Sequence, residues 1–336
     1  MDELRSILIQ ECRAPDPSQS IDIRSAFEIL LEQGLVMAPG SLEVQIRAEL
    51  LRDRADEELR NHAFHDVPLD VRQRYELACL FQTLILFAKD RFGSDTALEC
   101  IQVLDMALLM TGCPRSRSLV FKIIQSLHSS MKISLISRVD PIVPKDAPKI
   151  LYSVMSLYQP SASEFEEYLI SQTPIIIKGM TDSWPCLSSR EWNDLNYFSK
   201  MAGHRTVPVE IGLKYTDDDW TQKLMPFHQV LQDITSPNSK TYLAQFDLLE
   251  HVPELRKDIL VPDYCYSTDQ DPLLHVWLGP GGTVSPCHHD PYENIFAQIV
   301  GFKYVRIYSP EQKMYPYGEG SMLSNSSQVT RFQFVN

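Results

Sequence analysis

Positive charge is in short supply here: 31 lysines and arginines stand against 44 aspartates and glutamates, a net charge of −13. Phosphate contact needs clustered basic side chains, so direct nucleic-acid binding is not expected, and basic protein or peptide substrates suit the chain better. No apolar run approaches the ~20 residues that cross a bilayer, and MDELRSILIQEC carries acids where a signal peptide carries positive charge, so no membrane partner is expected. The seven cysteines are odd in number. They include no CxxC pair, which excludes a disulfide framework and a zinc ribbon and fits a reducing compartment. GPGG is not followed by GK[ST] and is a turn, not a phosphate loop. The sequon at Asn325 carries no meaning in a reducing compartment. Beyond His289 there is no histidine at all.

What is present divides into two textures. Up to about residue 130 apolar residues recur at helical spacing, as in RQRYELACLFQTLILFAKDRFG, where Leu77, Leu80, Phe81, Leu84 and Ala88 share a face. That helix is expected to end at Gly93, and the next to begin with Asp95 as N-cap and run to Gly112, with Pro114 beyond as a stop. With similar punctuation at Gly34 and Gly40, the reading is a stack of roughly five to seven antiparallel helices over residues 1–135. Its His62, His65 and His128 have no matching acids or cysteines, so this half is read as a partner-binding domain without chemistry.

Pro141, Pro144 and Pro148 mark a proline-rich linker over 136–150. Short β-rich runs follow at 173–179, 206–212, 241–246 and 273–279. Then comes NIFAQIVGFKYVRIYSP, read as a hairpin turning at Gly301 and Phe302. Strands at such spacing predict a barrel or sandwich.

SPCHHDPYENIF, residues 285–296, holds the chemistry. In an extended segment side chains alternate, so His288 and Asp290 face one way and His289 the other. An imidazole and a carboxylate are two-thirds of the facial triad that holds non-haem Fe(II). Zinc binding through Cys287, His288 and Asp290 fits poorly, because adjacent residues face opposite ways.

Trp277, GPGGTVSP, His288, Asp290, Asn294 and GFKYVRIYSP with Lys303, in that order, resemble the JmjC family of iron and 2-oxoglutarate dioxygenases. PIIIKGMTDSWP, VPVEIGLKYTDDDW and YLAQFDLLEHVPELRKDILVPDYC extend the likeness over most of 150–330. The resemblance implies an α+β chain: an all-α N-terminal domain, then a cupin-like double-stranded β-helix over 151–336. It makes His288 and Asp290 ligands of Fe(II), Tyr242, Ser285, Asn294 and Lys303 the 2-oxoglutarate site, and Trp277 a pocket wall. Those side chains suit the task, since Lys303 can meet a carboxylate and Tyr242, Ser285 and Asn294 can donate hydrogen bonds. Glu210 and Trp220 fall at substrate-pocket positions, where a carboxylate and an indole make an arginine receptor. Asp217 to Asp219 read as a solvated turn.

The implied reaction consumes O2 and 2-oxoglutarate and oxidises a protein side chain, arginine or lysine, with release of succinate and CO2. Members of the family are described as arginyl hydroxylases, histone lysine demethylases or histone-tail peptidases, which implies chromatin and a nuclear location, shared or not with the cytosol. The family pattern also implies a second histidine ligand late in the barrel, and the sequence has none after His289. The expectation is therefore a domain incomplete at its C-terminal end, either part of an active hydroxylase or an inactive interaction module.

Overall fold

In the computed structural model the described residues are 2–13, 42–88, 92–136, 138, 148–150, 152–212, 219–236, 238–266, 270–318, 320–321 and 323–329. The helices expected around Gly34 and Gly40, most of the proline-rich linker, Asp217 and Asp218 lie outside them. The chain forms two compact units, Met1–Ser134 with Ala202–Thr206, and Leu135–Met201 with Val207–Asn336. Together they give the mixed architecture expected, helices first and a cupin-like domain after.

The first unit is helical: α1 (Asp2–Arg13), α2 (Leu42–Arg60), α3 (Leu69–Phe87), α4 (Ser94–Thr111) and α5 (Arg117–Ser130). Helix α3 packs against α1, α2 and α4, and α4 also packs against α5. An apolar stripe explains only part of α3, because its residues from Arg74 to Phe87 are buried on every side. It ends at Phe87, six residues before Gly93. Gly93 instead caps the start of α4 in an extended conformation, and Asp95 lies in the first turn, where its charge favours the helix dipole. Gly112 closes α4 at φ 72° with its N–H on the Leu108 carbonyl, the left-handed cap expected of a glycine.

Two buried carboxylates tie this unit together. Glu76 of α3 accepts from the Arg115 N–H at 3.1 Å, the Ser116 N–H at 2.7 Å and the Ser116 hydroxyl, which anchors the start of α5. Burial pushes its pKa up, while the bonds from Ser116 pull it back. Asp105 of α4 accepts from Arg205 Nε at 2.7 Å and from the Thr206 N–H at 2.6 Å.

In the second unit β1 (Met155–Tyr158) and β2 (Ile175–Lys178) pair in parallel across α6 (Ala162–Ile170). A capping box between Ser161 and Glu164 starts α6. After α7 (Leu195–Ala202) come β3 (Thr206–Ile211), β4 (Thr221–Pro226), α8 (Phe227–Ile234), β5 (Thr241–Phe246), α9 (Leu248–His251) and β6 (Val276–Leu278). The sheet order is β4-β3-β5-β6, with β5 antiparallel to both β3 and β6. Its core holds Phe198, Val207, Val209, Phe227, Leu231 and Leu243, all buried. Buried Asp258 binds Arg190 at 2.9 Å, the Trp192 indole at 3.0 Å and the Tyr197 hydroxyl at 2.7 Å, fixing the segment ahead of α7.

The β-rich runs at 173–179, 206–212 and 241–246 became β2, β3 and β5, while only three residues of 273–279 pair as β6. The hairpin expected from NIFAQIVGFKYVRIYSP does not form: residues 294–308 join no strand. Its alternation is real, but a strand is held by a neighbour's N–H and C=O groups, and among the described residues no neighbour supplies them.

Candidate metal and substrate site

The HHD segment is shaped by backbone contacts. Residues 287–289 pair with 325–327 through an isolated antiparallel bridge between His288 and Ser326. The Ser327 N–H donates to the Cys287 carbonyl at 2.8 Å and the His289 N–H to the Asn325 carbonyl at 3.1 Å. Asn325 adds its side-chain amide, donating to the His289 carbonyl at 3.0 Å. Its place in a sequon gave no hint of this clamp.

Within the clamp His288 Nδ1 lies 2.7 Å from the Pro286 carbonyl oxygen. A carbonyl only accepts, so Nδ1 carries the proton and the Nε2 of the neutral ring keeps its lone pair. Nε2 faces Asp290 Oδ1 across 3.9 Å, as the alternation predicts. That gap is too long for a hydrogen bond and short enough for one cation to bridge. Asp290 Oδ2 accepts from Asn294 Nδ2 at 2.9 Å. His289 is exposed, and the Cys287 thiol contacts Met314 Sδ at 3.5 Å, away from a zinc role.

The pair therefore fits two donor positions of a His-carboxylate metal site, with a ring tautomer suited to coordination. Among the described residues no group of three His, Cys, Asp or Glu side chains gathers around a common point.

A second cluster lies on the sheet. Register places Glu210 of β3 directly opposite Tyr242 of β5. Trp220 donates its indole N–H to Glu210 Oε2 at 3.2 Å, so the indole meets the carboxylate edge-on. Burial, helped by the Glu210 charge, pushes the Tyr242 hydroxyl up to about 12. Gly279, just past β6, is needed where it stands. A Cβ there would meet the Tyr242 ring, with Cε2 at 3.0 Å and Cγ at 3.3 Å.

The remaining predicted residues are Lys303, Trp277 and Ser285. The Lys303 ammonium lies 4.7 Å from the centre of the Phe296 ring, and crowding around it lowers its pKa. Trp277 is 42% exposed and meets His275 edge-on at 6.1 Å. Ser285 is exposed. Asp219 pairs with Lys240 at 3.2 Å on the surface, in keeping with a solvated turn.

Residues 161–334 match the model of the cupin-like domain family. Lysine-specific demethylase 8 of Danio rerio is 34% identical over 304 residues, covering 84% of this chain and 74% of the relative. This chain belongs to the cupin-like JmjC family. Lysine-specific demethylase JMJ30 of Arabidopsis thaliana is 36% identical over 324 residues, 85% of this chain and 74% of its own length. Jumonji C domain-containing protein 5 of Drosophila melanogaster is 31% identical over 309 residues, 88% of this chain and 76% of its own. These alignments reach well beyond the cupin-like segment, so the likeness includes helical sequence. No helix among the described residues is long and apolar enough to cross a membrane.

Proposed function

We propose that this chain is a 2-oxoglutarate-dependent protein oxygenase acting on a basic side chain, with His288 and Asp290 as metal ligands. The observation that carries the reading is His288 Nε2, freed by the Nδ1 bond to Pro286 and turned toward Asp290 Oδ1 at 3.9 Å. The demethylase names of two of its relatives support a protein substrate, and a nuclear place of work belongs to the same proposal. Bound Fe(II) and 2-oxoglutarate would supply the oxygen chemistry, with succinate and CO2 as by-products.

The chain's own residues have simpler tasks. Glu210, oriented by the Trp220 N–H, accepts hydrogen bonds from a guanidinium or ammonium group. Arginine is favoured, because a planar fork can use both carboxylate oxygens, each of which keeps a lone pair. Tyr242, pushed up to about 12, stays a hydroxyl at physiological pH and so donates to a bound carboxylate. Lys303 and Ser285 are the further donors to 2-oxoglutarate in this reading.

A second reading, an interaction module without catalysis, is favoured by the missing third ligand among the described residues. Anaerobic calorimetry of the 336-residue chain separates the two. Binding of Mn(II), then of 2-oxoglutarate, is expected, with Asp290→Ala abolishing the first and Lys303→Ala weakening only the second. A folded chain that takes up neither supports the interaction module instead. Retention of Mn(II) by Asp290→Ala would show that the ligands lie elsewhere. Turnover assays on arginine and lysine peptides then decide the side chain.

A further inference from the structure

We infer that Asn325 is a positioning residue for the metal site, its side-chain amide fixing the peptide plane that leads into Asp290. The inference rests on the proposed role of His288 and Asp290 as ligands. Around the His288–Ser326 bridge the backbone supplies one bond on each side, from the Ser327 N–H to the Cys287 carbonyl at 2.8 Å and from the His289 N–H to the Asn325 carbonyl at 3.1 Å. In a regular antiparallel ladder His289 and Asn325 would exchange two backbone bonds, the second from the Asn325 N–H to the His289 carbonyl. Here that carbonyl takes the Asn325 side chain instead, with Nδ2 at 3.0 Å. The Ser326 hydroxyl donates to Asn325 Oδ1 at 3.3 Å, which sets the amide with its nitrogen toward His289.

The replacement matters because of where it falls. The His289 carbonyl and the Asp290 N–H share one planar peptide unit, so a donor on that carbonyl sets the direction from which the chain enters Asp290. On the other side Pro291 holds Asp290 to extended conformations and has no N–H with which to continue a ladder. Among the described residues the Asn325 amide is thus the last bond the clamp makes before the carboxylate ligand. Any residue can supply a backbone bond, whereas this one requires a side-chain amide at 325. The rest of the clamp stands without it: on its far side the Gln328 N–H donates to the Tyr315 carbonyl at 3.0 Å and the Tyr317 N–H to the Ser326 carbonyl at 3.2 Å. Loss of the amide should therefore free the peptide plane before Asp290, and with it the aim of Oδ1 across the 3.9 Å gap to His288 Nε2, while residues 326–328 stay in place.

The test is calorimetric titration of the full 336-residue chain with Mn(II), on wild type, Asn325→Ala and Asn325→Gln, with hydrogen exchange of the Ser327 amide measured on each. Asn325→Ala should weaken Mn(II) binding about tenfold, the lower end of the loss expected for an outer partner, because it acts through a single peptide plane. Asn325→Gln, with the same amide on a longer stem, should recover part of that loss. Exchange at Ser327, whose N–H bond to Cys287 does not involve the Asn325 side chain, should be the same in all three. Unchanged Mn(II) affinity in Asn325→Ala overturns the inference and leaves the ligand assignment standing. Weaker affinity accompanied by faster Ser327 exchange, or with no recovery in Asn325→Gln, also overturns it, because the residue then only holds the clamp together. A wild-type chain that binds no Mn(II) overturns the ligand assignment itself, and the positioning role with it.

Discussion

The core helices of the first unit and the stretch around residues 294–308 are both rich in apolar residues and opposite in packing. In the first, Leu80, Ile101, Leu104 and Ile123 are completely buried. In the second, Phe302 is 61% exposed, Ile307 60% and Val305 57%. A helix satisfies its backbone within itself, so α3 needs only neighbouring side chains, and α1, α2 and α4 provide them. A strand leaves half its backbone groups to a neighbour, and apolar alternation without that neighbour buries nothing. Hydrophobic content is thus a poor guide to burial unless the partner is known.

Amide hydrogen exchange puts the contrast to its widest test. Backbone amides of 294–308 should exchange orders of magnitude faster than those in the middle of α3 and α4, because no ladder among the described residues protects them. Equal protection in the two regions would erase the comparison.

Carboxylates sharpen it at the level of single residues. Asp105 is fully buried against Arg205, whose Nη2 already lacks a partner, so Asp105→Ala strands a buried charge and should cost about 3–5 kcal/mol. Asp290→Ala, at an exposed site, should change stability by no more than about 0.5 kcal/mol. Denaturant unfolding reads both, and the probes separate well. All four tryptophans lie in the second unit, so helical circular dichroism can be followed apart from indole fluorescence.

The smallest effect is the pH dependence set by Glu76. Its folded pKa is raised, so its contribution is fully present below the unfolded value and is lost as pH rises through the folded one. Helix unfolding followed by circular dichroism should therefore show a small stability loss as pH rises through the folded pKa. Glu76→Gln should flatten it. A slope unchanged by that substitution would assign it to other carboxylates.

How legible was all this beforehand? Gly112 announced its left-handed cap and TYLAQF its strand, since each is a local signal. Gly93 misled because a glycine can open a helix as well as follow one. β1 and β4 escaped notice: MSLY and TQKLMP are short and carry no strong alternation, and each is held by its partner strand. Glu210 and Trp220 were read together as an arginine receptor, and the structure adds that the indole N–H is engaged with Glu210. Nothing in VEIGLKYTDDDW specifies which edge of the ring faces inward.

By itself the sequence determined the two textures, the order of helices before strands, the family, and the facing of His288 and Asp290. Each follows from composition, local period or motif order, which operate over a few neighbouring residues. Only the tertiary structure decided that the Pro286 carbonyl fixes the His288 tautomer, that Asn294 turns back onto Asp290, and that Asn325 clamps the segment from 36 positions away. The reason is physical. Backbone carbonyls look alike at every position in a sequence, and a hydrogen bond exists only once folding has set its distance and angle.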